Sequence, residues 1–287
     1  MMIWLLASCL DQKFAEISLD AIAVVNGDFD NVAQPMLALG IGNASFNGYI
    51  DHATWDAGDA PAQSDDEGST VESLLTAADG QGKKEINKYN AVFVNSGTRG
   101  LNAVVYNYTL EADDQILADD YAMKNVCSFV DHGGTLVVSD WAYDLVEACF
   151  PDRLEWVGDD AAVDSAQLGR AGEVLADVKD KTLQEALGTS ISLQYNYTAW
   201  AVMESVGKDV DVLVSGTVEY QPSDTEDYAT VEKSPLMVRW AEGHGQVVVT
   251  TFHWIVQNGA IAQNLLLHGI AGMEAGAGAA SAEVSGG

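Results

Sequence analysis

Ser139, Asp140 and His253 are the residues whose types could do chemistry together. A hydroxyl or carboxylate within reach of an imidazole is the nucleophile and base pairing of hydrolases, completed by a third group that orients the ring. Asp28 or Asp140 could supply that group. The local pattern argues the other way. Residues 137–141 read Val-Val-Ser-Asp-Trp, not the Gly-x-Ser-x-Gly elbow of a serine hydrolase. Ser and Asp are also ordinary at strand ends, where they cap the following helix. A single histidine beside Trp254 is more often a polar filler than a catalytic group.

These residues sit at the ends of apolar runs. Residues 21–26 end in Gly27-Asp28, 91–95 end in Ser96-Gly97, and 135–140 end at Asp140. Continuous runs of this kind read as buried parallel strands, because both faces of such strands are covered. A helix is expected over about 113–132, capped by Asp113 or Asp114 and ended by Gly133-Gly134, and another over 141–150. Strand, helix, strand, helix predicts an α/β fold with a mainly parallel central sheet and helices on both faces. A helical turn fits around 71–75 inside a polar stretch over 56–82.

The C-terminal half is β-rich and is expected to extend the sheet. Candidate strands cover 191–203, 210–220, 236–240 and 246–252, with Gly243-His244-Gly245 as a hairpin turn. Residues 163–175 read as a weak helix or loop, and 259–273 as an amphipathic final helix. The expected organisation is an anchor segment over 1–12 and one domain over 13–273. Within it, 151–235 forms a loosely patterned β-rich insertion, and a flexible Gly/Ala/Ser tail follows over 274–287.

In α/β sheets of this kind ligands bind beyond the carboxyl ends of the strands. The candidate ligand-binding residues there are Asp28, Asn95, Ser96, Arg99, Trp141 and Trp254. Arg99 is one of four arginines in a chain of net charge −30, so it is either pinned by carboxylates or open to an anionic ligand. The tryptophans could stack on a sugar ring or be core. A field of charge −30 repels phosphate backbones, which argues against nucleic acid as a partner. No Asp-x-Asp-x-Asp-Gly loop is present, and neither a metal nor a cofactor is expected.

The order of elements resembles the class I glutamine amidotransferase-like family. Residues 91–97 look like its first strand and turn, Val130-Asp131-His132-Gly133-Gly134 like its helix end, 136–140 like its elbow strand, and Thr250-Thr251-Phe252-His253 like its histidine strand. The family's Gly-x-Cys-x-Gly is Val138-Ser139-Asp140-Trp141-Ala142 here, and the Pro-Glu after its histidine is Trp254-Ile255. Without the thiolate, glutaminase activity is not expected. Gly243-x-Gly245-Gln246-Val247-Val248 leading into His253 looks closer to the trehalose-utilisation-like branch, which lacks the cysteine and is tied to sugar metabolism. The resemblance implies a non-catalytic domain that binds a small ligand, carbohydrate for instance, or an envelope protein partner. A hydrolase using Ser139 or Asp140 with His253 and a structural envelope protein are the alternatives.

The opening Met-Met-Ile-Trp-Leu-Leu-Ala-Ser-Cys resembles a bacterial lipobox ending at Cys9, although without a basic n-region. It implies lipidation at Cys9 and a place in the cell envelope, with membrane contact only through that anchor. Cys127 and Cys149 lie in helical patterns and read as small buried hydrophobes, a bridge between them being open in an exported protein.

Overall fold

The computed structural model describes residues 21–48, 69–98, 100–101, 116–158, 166–197, 200–223 and 225–267. The first half contributes strands β1 (Ile22–Asn26), β2 (Ala44–Asn47), β3 (Ala91–Val94) and β4 (Thr135–Ser139). The second contributes β5 (Leu154–Trp156), β6 (Leu168–Gly169), β7 (Gly172–Val178), β8 (Ser190–Tyr195) and β9 (Trp200–Ala201). After these come β10 (Met203–Val206), β11 (Asp211–Gln221), β12 (Ala229–Glu242) and β13 (Gly245–Thr250).

Eleven of these strands form one sheet in the order β2-β1-β3-β4-β13-β12-β11-β6-β9, with β7 and β8 attached through β11. The five strands β2, β1, β3, β4 and β13 run parallel, and everything beyond β13 is antiparallel. β5 and β10 pair separately.

The apolar runs explain the parallel part. Val24, Phe93, Val137 and Val248 stand in register across four strands and enter one core. Their neighbours Val25, Val94, Val138 and Val249 point to the opposite core. One core is closed by the helices Val71–Thr76, Asp120–Asp131 and Asp144–Cys149, through residues such as Leu74, Val126 and Val146. Met36 of the helix Ala33–Ala38, Leu183 of the helix Lys181–Leu187, and Leu265 of a helix over 259–267 close the other. Two apolar faces on the central strands leave few polar positions within them, so polar side chains collect at the strand ends.

Several sequence expectations are corrected. The helix expected over 113–132 is Asp120–Asp131, preceded by a 3-10 turn at Ile116–Ala118. Its cap is Asp119, whose carboxylate accepts the N–H groups of Tyr121 and Ala122. Asp113 and Asp114 lie outside the described residues. The weak helix or loop over 163–175 is strand in its described part, as β6 and the start of β7. The run expected at 236–240 lies within the longer β12. Cys127 and Cys149 are half-buried and joined by a disulfide, with Cα atoms 5.4 Å apart, tying helix Asp120–Asp131 to helix Asp144–Cys149. The final helix is described to residue 267, and the rest of the expected 259–273 lies outside, as do 1–12 and 274–287.

Candidate functional site

Polar side chains converge just past the carboxyl ends of β1, β3, β4 and β13. The turn after β1 is set by Gly27: a Cβ there would lie 2.0 Å from the carbonyl oxygen of Ser96. That approach lets the N–H groups of Asp28 and Phe29 bond the carbonyls of Gly97 and Ser96. Asp30, which follows, is thereby turned inward and is 2% exposed.

At the end of β4 the chain turns sharply through Asp140, which has φ 49 although it is not glycine. A left-handed aspartate is sterically disfavoured and persists where its surroundings hold it. Here three donors do so. Asp140 Oδ1 accepts the N–H of Ala201 at 2.7 Å. Its Oδ2 accepts the Ser96 hydroxyl at 3.0 Å and faces His253 Nε2 at 2.9 Å. The carboxylate and the imidazole are 1% and 4% exposed.

Ser139 belongs to a parallel chain of bonds. Its hydroxyl donates to Asp30 Oδ2 at 2.9 Å and accepts the N–H of Ser96 at 3.0 Å. Asp30 Oδ1 accepts the N–H groups of Asn31 and Ile255. The serine proton is therefore directed to a carboxylate, while the ring nitrogens of His253 face Asp140 Oδ2 and Asn196 Oδ1.

Electrostatics follow from burial. Burial is the largest influence on Asp30 and raises its pKa above the ordinary carboxylate value, against the pull of His253 and the hydrogen bonds it accepts. For His253 burial, the largest single influence, pulls downward. The Asp140 hydrogen bond with the charges of Asp140 and Asp30 outweighs it, and the net shift is upward. Both ring nitrogens face oxygen acceptors, which is the arrangement that suits a doubly protonated imidazolium. An imidazolium is a poor general base, because a base must arrive without its proton.

Beside His253 lies a narrow cleft lined by Tyr195, Asn196, Tyr197, Trp200, Thr251 and His253. The Tyr195 hydroxyl meets that of Thr251 at 2.9 Å, and burial pushes its pKa upward, so it stays protonated. The rings of Phe29 and Tyr197, 5.3 Å apart, flank the imidazole. Among the described residues no group of three or more His, Cys, Asp or Glu could hold a metal ion.

Of the sequence candidates, Ser96, Ser139, Asp140 and His253 come together. Asn95 is buried beside them but uses its amide on β1 and the following turn, donating to Val25 O at 2.8 Å and accepting from Val32 N. Trp141 and Trp254, at 3% and 2% exposed, are packed in the two cores, whereas a stacking role needs an open ring face. Asp28 is exposed, and Asp30 occupies the place beside Ser139. Arg99 and Cys9 lie outside the described residues. Sequence reasoning missed Asp30, Tyr195, Asn196, Tyr197, Trp200 and Thr251. Only Thr251 and Asp30 carried a signal, by adjoining a strand end.

Fold and site together define an α/β domain with a buried carboxylate–imidazole pair at the carboxyl edge of its parallel strands. No protein-family model matches the chain, and no curated protein matches it. Among solved structures it is similar to a putative GMP synthase component from Thermoplasma acidophilum, with 10% identity, TM-score 0.47, and 91% of this chain and 97% of that one covered. It is also similar to a putative ThuA-like protein from Parabacteroides merdae, with 12% identity, TM-score 0.47, and 87% and 88% covered. A third, β-galactosidase from Bacillus circulans, has 12% identity and TM-score 0.44, with 90% of this chain but 31% of that one covered. At TM-scores below 0.5 and identities of 10–12% these likenesses carry no conclusion on family or activity.

Proposed function

We propose that this chain is a catalytically silent amidotransferase-like domain that binds a small neutral ligand, such as a monosaccharide, beside His253. The observation that carries the reading is the state of Asp140. It occupies the turn where the family bears its cysteine, yet both of its oxygens are engaged by three donors. Ser139 is likewise engaged on both sides. A nucleophile must reach its substrate, and both groups are 1% exposed and neither lines the cleft beside His253.

Charge and size narrow the ligand. An acidic protein of net charge −30 disfavours anions, and the imidazolium is already compensated by Asp140. The cleft beside His253 is far smaller than the roughly 300–1,000 Å³ of common ligand sites, so only a small ligand resting on its rim fits. The rings of Tyr197 and Phe29 suit the apolar face of a sugar. The disulfide Cys127–Cys149 favours an oxidising compartment, in keeping with export and lipidation at Cys9.

A titration with neutral monosaccharides tests the reading, followed by tryptophan fluorescence because Trp200 lines the pocket. A saturable response that is lost in Tyr197→Ala is expected, and no response from any sugar counts against it. The contact between Asp140 and His253 favours a second reading, a hydrolase that uses Asp140. It requires turnover of an activated ester that disappears in Asp140→Asn. For export, membrane fractionation of wild type and Cys9→Ser is the check, and equal solubility of the two removes the anchor.

A further inference from the structure

Gln257 has no part in the pairing at the site, yet it touches the backbone on both sides of the pocket. Its Oε1 accepts the N–H of Gln194 at 3.0 Å, and its Nε2 donates to the carbonyl of Gln194 at 2.8 Å. The same Nε2 donates to the carbonyl of His253, also at 2.8 Å. Backbone N–H groups only donate and carbonyls only accept, so these three bonds fix the amide's orientation.

Gln194 belongs to β8, which among the described strands pairs with β7 alone, and the Gln257 amide stands at Gln194 where a further strand would. The residues that follow, Tyr195, Asn196 and Tyr197, form one wall of the pocket, and His253 lies on the other. Across the gap Asn196 Oδ1 meets His253 Nδ1 at 3.1 Å. Gln257 is 7% exposed, so water is a poor substitute for its bonds.

We propose that Gln257 is the positioning residue of this pocket, one amide that bridges the main chains of both walls and sets the distance between Asn196 and His253. The proposal deepens the reading above and rests on it only for the claim that the pocket binds. Without the bridge the segment that carries His253 loses its tie to β8, and the imidazole drifts from Asp140 toward water. The titratable groups that act on His253 are Asp140 and Asp30, and Tyr195 faces Asp140.

The test uses the full chain without ligand and compares Gln257→Met, which keeps the length but not the amide, with Gln257→Glu, which keeps only the acceptor. In Gln257→Met the Gln194 amide is expected to exchange with solvent about tenfold faster, and the His253 titration, followed by NMR, moves down toward the ordinary imidazole value. In Gln257→Glu the Gln194 amide stays protected while the His253 titration still moves. A Gln257→Met protein with both readouts unchanged overturns the proposal. So does a lowered unfolding midpoint with the His253 titration unmoved, since that is what a purely structural role gives. If Gln257→Met does not fold, a wild-type His253 titration in Gln257→Glu overturns it. Failure of every sugar to bind would count against the reading above and leave these measurements intact.

Discussion

His253 and Asp140 are sealed from water almost completely, so the cost of separating them is set by desolvation. Removing one partner of such a pair leaves the other charge buried without compensation, which costs about 3 kcal/mol. His253→Ala is therefore expected to lower the unfolding free energy by about that amount in chemical denaturation. The pH dependence has a definite sign. The folded-state pKa of His253 is raised, so its stabilising effect is fully present below the unfolded value of about 6.5 and fades as pH rises through the folded value. The deficit of His253→Ala should be largest at pH 6 and below and shrink at higher pH. A deficit that grows with pH would contradict the assignment of the imidazolium.

At the same scale, the sequence made His253, Asp140, Ser139 and Ser96 visible because each ends or follows a strand with an unmistakable apolar run. It placed Ser139 and Asp140 beside His253 but did not decide which of them the imidazole meets. Ser139 and Asp140 are chain neighbours, yet one turns to Asp30 and the other to His253. The positive φ of Asp140 separates them, and a single backbone angle leaves little trace in composition. Asp28 and Asp30 have the same chemistry two residues apart, and the close packing of Gly27 on Ser96 decides for Asp30.

Among the elements, the disulfide Cys127–Cys149 is the main covalent constraint, closing a loop with a sequence separation of 22. A loop of that length contributes about 3 kcal/mol through the restricted unfolded chain. Reduction should lower the denaturant midpoint accordingly, and Cys127→Ala/Cys149→Ala should show the lower midpoint with or without reductant. An unchanged midpoint in both would show that the helices are held by packing alone. The central strands were legible because burial on both faces makes them apolar throughout. β7 was not legible: Glu173 and Asp177 face solvent, and its pairing with β11 and β8 rests on residues distant in the chain. Asp119 was missed as a cap because Asp113 and Asp114 offered the same chemistry earlier in the sequence.

For the whole molecule, a net charge of −30 means that folding gathers like charges. Added salt screens that repulsion over distances of about 10 Å at 0.1 M. The thermal midpoint should therefore rise as sodium chloride increases from low ionic strength to 1 M, and a flat or falling midpoint would mean that the carboxylates are already compensated. The same field governs what can approach the carboxyl edge of the sheet, where two carboxylates are drawn inward to hold Ser139 and His253 in place. The central proposal is that this edge binds a small ligand and does not hydrolyse glutamine. Ammonia release from glutamine by the purified full chain tests it most directly. We expect release at the uncatalysed background in wild type and in His253→Ala alike. Release above background that disappears in His253→Ala would contradict the account and make the Asp140–His253 pair a working active site.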